Sequence, residues 1–311
     1  MNEDREAPPR RSFGARAGIV LLNLLAPGAG LIRTGHWRAG LGFAAGMSVW
    51  LLALTAAAAM LPMVTPTGFI VVIVLSLVFV IILLIVPTVA SWRASRFRPA
   101  AVPPWGRWYA LLSLFILCQL ASIQAVRGLH GFYRPFYAPA EAMHPTILTG
   151  ERFVADMRGD RAPRIGEIIL LNVGDAIYVK RVAALDGDRI AMRDGVPIVN
   201  GVPAAQREVG TIIVYEDSEP SPSKIIAERL PGQSGEHRIL DMGVTDFEDQ
   251  AEVTVPPGHL FVLGDNRDRS ADSRVPRDMH GVEMLPMGDV VGRPLFKTWT
   301  ADWQWLGTPL D

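Results

Sequence analysis

Residues 39–92 read AGLGFAAGMSVWLLALTAAAAMLPMVTPTGFIVVIVLSLVFVIILLIVPTVASW, about 54 positions without one Asp, Glu, Lys or Arg. A helix that crosses a bilayer needs about 20 apolar residues, so the run is long enough for two crossings. Pro66 and its uncharged neighbours divide it into a stretch from Ala39 to Val64 and another from Gly68 to Ser91. A soluble core would have to hide the whole run from water. Further out lie two more apolar stretches. Gly18 to Ile32 (GIVLLNLLAPGAGLI) is broken by Pro27, Gly28 and Gly30 and is short for a span, so it reads as an interfacial or re-entrant segment. Tyr109 to Val126, between Arg107 and Arg127, reads as a third span.

Arginines set the expected threading. Arg5, Arg10, Arg11 and Arg16 precede the first stretch, Arg33 and Arg38 follow it, and Arg93, Arg96, Arg98 and Arg107 precede the last span. With the first stretch lying in the interface, all of these fall on the cytoplasmic side. The turn near Pro66 and everything after Arg127 then lie outside. The expectation is a multi-pass protein of a bacterial inner membrane, with its C-terminal half on the periplasmic or extracellular side. Residues 1–12 are charged and proline-containing, with no short apolar region and cleavage site after them, so no cleavable leader is expected.

A formal net charge of −1 gives no basis for nucleic acid as a partner. The single cysteine, Cys118, lies within a predicted span, which excludes an intrachain disulfide and a cysteine metal site. No pair of His or acidic residues has a zinc spacing, and neither a metal nor a cofactor is expected.

After about residue 130 the texture changes. ERFVADM, GEIILLNV, AIYVKRVAAL, DRIAMRDGVPIVNG and HLFVLGD read as strands, with hairpin turns at Asp194-Gly195 and Asn200-Gly201. No helical pattern alternates with them. The fold class expected is a helical membrane anchor (residues 1–128) followed by a mainly antiparallel β domain (129–311). Within it, 206–250 is acidic and rich in Pro, Gly and Ser, and reads as a looser insertion.

Three segments of this half carry chemistry-bearing residues. The first is Pro139-Ala140-Glu141-Ala142-Met143-His144-Pro145-Thr146-Ile147-Leu148, with Gly150-Glu151 after it. The second is Tyr178-Val179-Lys180-Arg181-Val182 ahead of Gly187-Asp188. The third is Gly264-Asp265-Asn266-Arg267-Asp268-Arg269-Ser270-Ala271-Asp272-Ser273-Arg274. Taken singly, each has a plain reading: a kinked entry to a strand, a solvated strand lysine, and a salt-bridged turn. Lysine usage weighs against the second of these. Of 30 basic residues only Lys180, Lys224 and Lys297 are lysines. A desolvated lysine can lose its proton and an arginine cannot, so a lysine within this strand points to a base.

Together the three segments resemble the type I signal peptidases, the Ser-Lys family that removes leader peptides from exported proteins. Its motifs read roughly Ser-x-Ser-Met-x-Pro-Thr-Leu, Tyr-Ile-Lys-Arg-Val ahead of Gly-Asp, and Gly-Asp-Asn-Arg-Asp-x-Ser-x-Asp-Ser-Arg. The third agrees at every specified position, and the resemblance covers about residues 132–299. It implies a serine endopeptidase-like β fold acting on leader peptides with small residues before the cut, bound as an added strand. It makes Lys180 the general base, Ser270 the residue that orients it, Asp272 and Arg274 a supporting ion pair, and Met143 and Pro145 part of the substrate-binding region. Asp265 and Arg267 belong to the same turn.

Two positions depart from the pattern. The nucleophile position is Ala142, which has no hydroxyl, and the oxyanion-hole serine is replaced by Ala140. Thr146 belongs to the pattern structurally, Glu141 points away from its neighbour's side, and His144 reads as exposed. Two functions stay open. One is an active peptidase with an unusual mechanism, for instance water activated by Lys180. The other is an inactive homologue that binds signal peptides or a partner peptidase. Trp299, Trp303 and Trp305 read either as membrane-interface anchors or as ordinary core or edge aromatics.

Overall fold

The computed structural model describes residues 11–60, 65–96, 104, 107–159, 161–216, 219–243, 246–300 and 306–310. Contacts divide the chain into two units, Met1–Phe132 and Tyr133–Asp311.

The first unit is helical. Helix α1 (Phe13–Leu25) starts at Ser12, whose side chain accepts from the Ala15 amide. At 13 residues it is about 20 Å long, short of a hydrocarbon core of about 30 Å. It stops ahead of Pro27, and Gly28 turns the chain with a left-handed φ of 88° into the five-residue α2 (Ala29–Arg33). Asn23 holds the break. Its Oδ1 accepts from the amides of Gly28 (3.0 Å) and Gly30 (3.1 Å), and its Nδ2 donates to Ser91 Oγ at 3.2 Å. Buried polar groups in an apolar setting must be satisfied in this way. Gly28 also admits no side chain, because a Cβ there would lie 2.2 Å from the Gly40 carbonyl oxygen. Helices α3 (Trp37–Met60), α4 (Pro66–Ala94) and α5 (Trp108–Phe132) follow. Trp37–Ala57, Pro66–Ala94 and Trp108–Phe132 are each long and apolar enough to cross a membrane.

The second unit is built from antiparallel strands. A seven-stranded sheet has the order β1-β2-β14-β3-β4-β12-β13, from Tyr133–Tyr137 (β1), Arg152–Asp156 (β2), Ile168–Val173 (β3), Ala176–Ala184 (β4), His259–Leu263 (β12), Leu285–Pro286 (β13) and Val290–Trp299 (β14). A four-stranded sheet, β11-β5-β6-β7, joins Arg189–Arg193 (β5), Val196–Val199 (β6), Val202–Pro203 (β7) and Gln250–Thr254 (β11). Its two hairpin turns have positive φ at both central residues: 47° and 74° at Asp194 and Gly195, 51° and 79° at Asn200 and Gly201. That backbone matches the strand twist and selects Asn-Gly and Asp-Gly.

Strand β3 explains how the core is shared. Its IILL run has no polar face: Ile168 and Leu170 pack with Met143, Ile147 and Phe153, while Ile169 and Leu171 pack with Val182, Leu260 and Val262. A strand buried on both faces reads as a continuous apolar run. Two neighbours of the candidate site, Met143 and Ile147, are thereby anchored in the core.

Residues 206–250 depart from the expected looseness. Ala205–Glu216 (β8) and Glu219–Arg229 (β9) form a long hairpin, and His237–Asp241 (β10) completes a three-stranded sheet of order β10-β9-β8. Pro220 and Pro222 are accommodated by register. β10 pairs only with Lys224–Glu228, so both prolines lie where β9 is an edge strand and no second ladder needs their missing N–H.

Candidate functional site

Three segments converge at one end of the large sheet. The loop from Ala138 to Gly150 joins β1 to β2. It is closed by backbone hydrogen bonds of 2.9 Å from Ala138 to Glu151 and from Gly150 to Ala138. The Glu151 carboxylate accepts from the Leu148 amide (2.8 Å) and pairs with Lys297 at 2.7 Å. The turn after β12 is ordered by Asp272, whose Oδ2 accepts from the Gly264 amide and from Arg274, each at 2.9 Å. Loop and turn are joined directly, the Asn266 amide donating to the Ala142 carbonyl at 3.1 Å. Gly264 makes this approach possible. A Cβ there would lie 2.1 Å from Ser270 Oγ and 2.5 Å from the Ala142 oxygen.

A second tie runs through Asp265. Its carboxylate accepts from Arg181 Nε (2.8 Å) and Nη2 (2.7 Å), and from Thr146 Oγ1. Burial favours the neutral acid, but the Arg181 guanidinium and these hydrogen bonds hold the carboxyl below its usual range. Thr146 is thus spent on structure, as its motif position suggested.

Ala140, Ala142, Met143, Val179 and Lys180 line one cleft of about 350 Å³, closed further by aromatic and aliphatic side chains and by Arg269. Lys180 is only 2% exposed. Burial lowers its pKa to about 8; Asp272 opposes the shift, Arg274 adds to it, and Asp265 opposes it. The Tyr178 ring centroid is 5.5 Å from Nζ. A buried amine of this kind is unstable as the ammonium. Between about pH 8 and 10.5 the folded chain therefore binds fewer protons than the unfolded chain. The penalty is complete below pH 8 and fades as pH rises toward 10.5. Lys180→Met is accordingly expected to raise stability at pH 7 by about 3 kcal/mol, with the gain vanishing by about pH 10.5, in denaturant unfolding of the full chain.

Several sequence expectations are revised. Ser270 Oγ is buried without a hydrogen-bond partner. Pro145 is not among the residues lining the cleft, whereas Met143 is. The difference follows from Met143 and Ile147 taking the inward positions of the loop. His144 is half-buried instead of exposed, and burial lowers its pKa. Glu141 pairs with Arg269 at 2.6 Å. Trp299 is exposed, while Trp303 and Trp305 lie outside the described residues. The expected Asp272–Arg274 pair is formed.

One residue escaped the sequence reading. Glu228, on β9, is fully buried and accepts both Arg267 Nη1 (3.0 Å) and Nη2, with Gln206 (2.7 Å) and His237 (3.3 Å) beside it. Backbone bonds from Leu240 to Asp265 (2.8 Å) and from Arg267 to Leu240 (3.1 Å) add to this clamp. The three-stranded sheet therefore braces the turn that carries Ser270 and Asp272.

The family described as signal peptidase, peptidase S26, matches residues 107–299. The chain is 28% identical over 191 residues to the probable signal peptidase I-1 of Synechocystis sp., a match covering 56% of this chain and 76% of the relative. It is 30% identical over 192 residues to the signal peptidase I of Pseudomonas aeruginosa, covering 53% of this chain and 64% of that protein. It is 27% identical over 181 residues to signal peptidase I T of Bacillus subtilis, covering 57% and 79%. A crystal structure of a signal peptidase I from Enterococcus faecalis aligns with 43% of this chain and 97% of its own, at 23% identity and a TM-score of 0.25.

Proposed function

Because this chain belongs to the signal peptidase family, peptidase S26, we propose that it is a membrane-held receptor for the leader peptides of exported proteins that does not form an acyl-enzyme with them. The observation that carries this reading is Ala142: a methyl group lines the cleft beside Lys180 where a nucleophilic hydroxyl is required. A leader peptide binds as an added strand, its small residues fitting the shallow apolar cleft, and scission is left to a partner peptidase. Lys180 is the former general base, and Asp272 with Arg274 keeps its surroundings ordered. The Ala140 methyl lines the same cleft in place of an oxyanion donor.

The placement proposed is the bacterial inner membrane, crossed three times, with the β unit outside. Arg33 and Arg107, assigned to the same face by the arginine pattern, line a common groove with Leu22, Ala26 and Leu111, which supports that threading.

A second reading, hydrolysis by water that Lys180 deprotonates, is favoured by the lysine's pKa of about 8. Purified full-length chain in detergent, given a fluorescent preprotein, separates the two. Saturable binding without cleavage is expected. Cleavage that Lys180→Ala abolishes would replace the receptor reading with the water mechanism, and absence of both binding and cleavage would remove both.

A further inference from the structure

A serine in this cleft would give the lysine a proton to take. In its place Ala140 and Ala142 present methyl groups, and Lys180 Nζ makes no hydrogen bond among the described residues. The amine lines an apolar cleft of about 350 Å³, large enough for a few small side chains. The charged groups acting on it are Asp272, Asp265 and Arg274, and each has its own partner: Arg274 for Asp272, Arg181 for Asp265. The Tyr178 ring lies beside the amine, with Nζ 5.5 Å from its centroid. A desolvated lysine without an acceptor to serve is the arrangement by which proteins make an amine reactive toward carbonyl carbon.

We infer that Lys180 is itself the nucleophile of this cleft and captures aldehydes borne on small apolar bodies as Schiff bases. The Nζ lone pair adds to the aldehyde carbon, the C=O π bond breaks, and the oxygen takes one of the two protons the nitrogen carries. The resulting carbinolamine loses its hydroxyl and the nitrogen's proton as water, leaving a C=N bond to Nζ. No oxidant, reductant or metal is consumed. Protonation of the imine restores a positive charge beside Asp272 and Asp265, where the ammonium stood. Peptide carbonyls do not react in this way, since amide resonance opposes addition. A bound leader peptide is therefore not captured, and the inference does not depend on leader-peptide binding.

Reduction of the imine by cyanoborohydride makes capture permanent and visible by mass. The chain contains its own controls, because Lys224 is exposed on β9 and Lys297 is tied to Glu151. The full-length chain in detergent at pH 7 is treated with cyanoborohydride and either propanal or an acetylated tripeptide aldehyde ending in alaninal, then mapped by peptide mass spectrometry. With propanal, labelling of Lys180 is expected to outpace that of Lys224 by about tenfold or more, the excess being absent in Lys180→Arg. Labelling of Lys224 as fast as Lys180, or no label on Lys180, overturns the inference. The tripeptide aldehyde separates it from the receptor reading. Capture of both reagents supports the two together, whereas capture of propanal alone supports the nucleophile and removes peptides from the cleft.

Discussion

Ala142→Ser is expected to convert the chain into a measurable leader peptidase, raising preprotein cleavage by on the order of 10³ or more over the unmodified protein. The argument rests on how much of a Ser-Lys site surrounds the missing atom. The backbone at Ala142 is fixed by the Asn266 amide, and the loop on either side is held by the buried side chains of Ala138, Met143 and Ile147. A new hydroxyl would therefore enter on a backbone that is already held. Lys180 lines the same cleft and, with a pKa of about 8, is uncharged in about a tenth of molecules at pH 7. Two features limit the gain. Ser270 makes no hydrogen bond to steady the amine, and Ala140 gives no donor to a developing oxyanion. Each such donor contributes about 10²–10³ in rate, so Ala140→Ser added to Ala142→Ser is expected to give a further increase. The cleavage rate of Ala142→Ser should rise with pH and level off above about 8, as Lys180 loses its proton. A gel assay of a preprotein against time, from pH 6 to 9.5, reads both the rate and its inflection. No cleavage by the double variant, with the fold intact by circular dichroism, would mean the cleft cannot present a scissile carbonyl to residue 142.

The features legible in the sequence were those set by local composition. The uncharged run from 39 to 92 covers most of two of the helices that, among the described residues, are long and apolar enough to span, and the doubly buried β3 appears as IILL. Asp194-Gly195 and Asn200-Gly201 mark turns because few other residues adopt positive φ at two successive positions. The site segments were recognisable because their residues are close in sequence even though the segments are far apart. What could not be read depends on register and on distant partners. That Pro220 and Pro222 fit within β9 depends on the length of β10, which leaves them on an edge. Glu228 and Arg267 are separated by 39 positions; the β9–β10 pairing sets His237 opposite Glu228, and the backbone bonds of Leu240 to the turn after β12 bring Arg267 to the same buried point. Nothing in the motif indicated that the Ser270 hydroxyl would be unpaired, since that depends on side-chain directions set by the packing of Gly264.

Asp265→Ala is expected to cost about 3–5 kcal/mol of stability. Asp265 and Arg181 are both nearly inaccessible, their side chains 1% and 2% exposed, and they share two hydrogen bonds. Removing the carboxylate leaves a buried guanidinium with only its bond to the Gly166 carbonyl, and Thr146 without an acceptor. The cost is that of the orphaned charge and does not measure the worth of the pair. Arg181→Leu combined with Asp265→Leu is therefore expected to be less destabilising than Asp265→Ala alone. The pair also sets an acid limit. Burial favours the neutral acids, yet Arg181 and Arg274 hold the Asp265 and Asp272 carboxyls below the usual carboxylate range. A depressed carboxyl contributes its full stability above the unfolded pKa of about 4 and loses it as pH falls toward the folded value. Unfolding midpoints of the unmodified chain should thus fall steeply below pH 4, with Glu228, held low by Arg267, adding to the slope, and Asp265→Ala should lose part of it because one of these titrating groups is gone. If the variant and the parent shared the same pH dependence, Asp265 would be protonated in the native protein, and the tie between Arg181 and the turn after β12 would be an ordinary hydrogen bond between neutral acid and arginine.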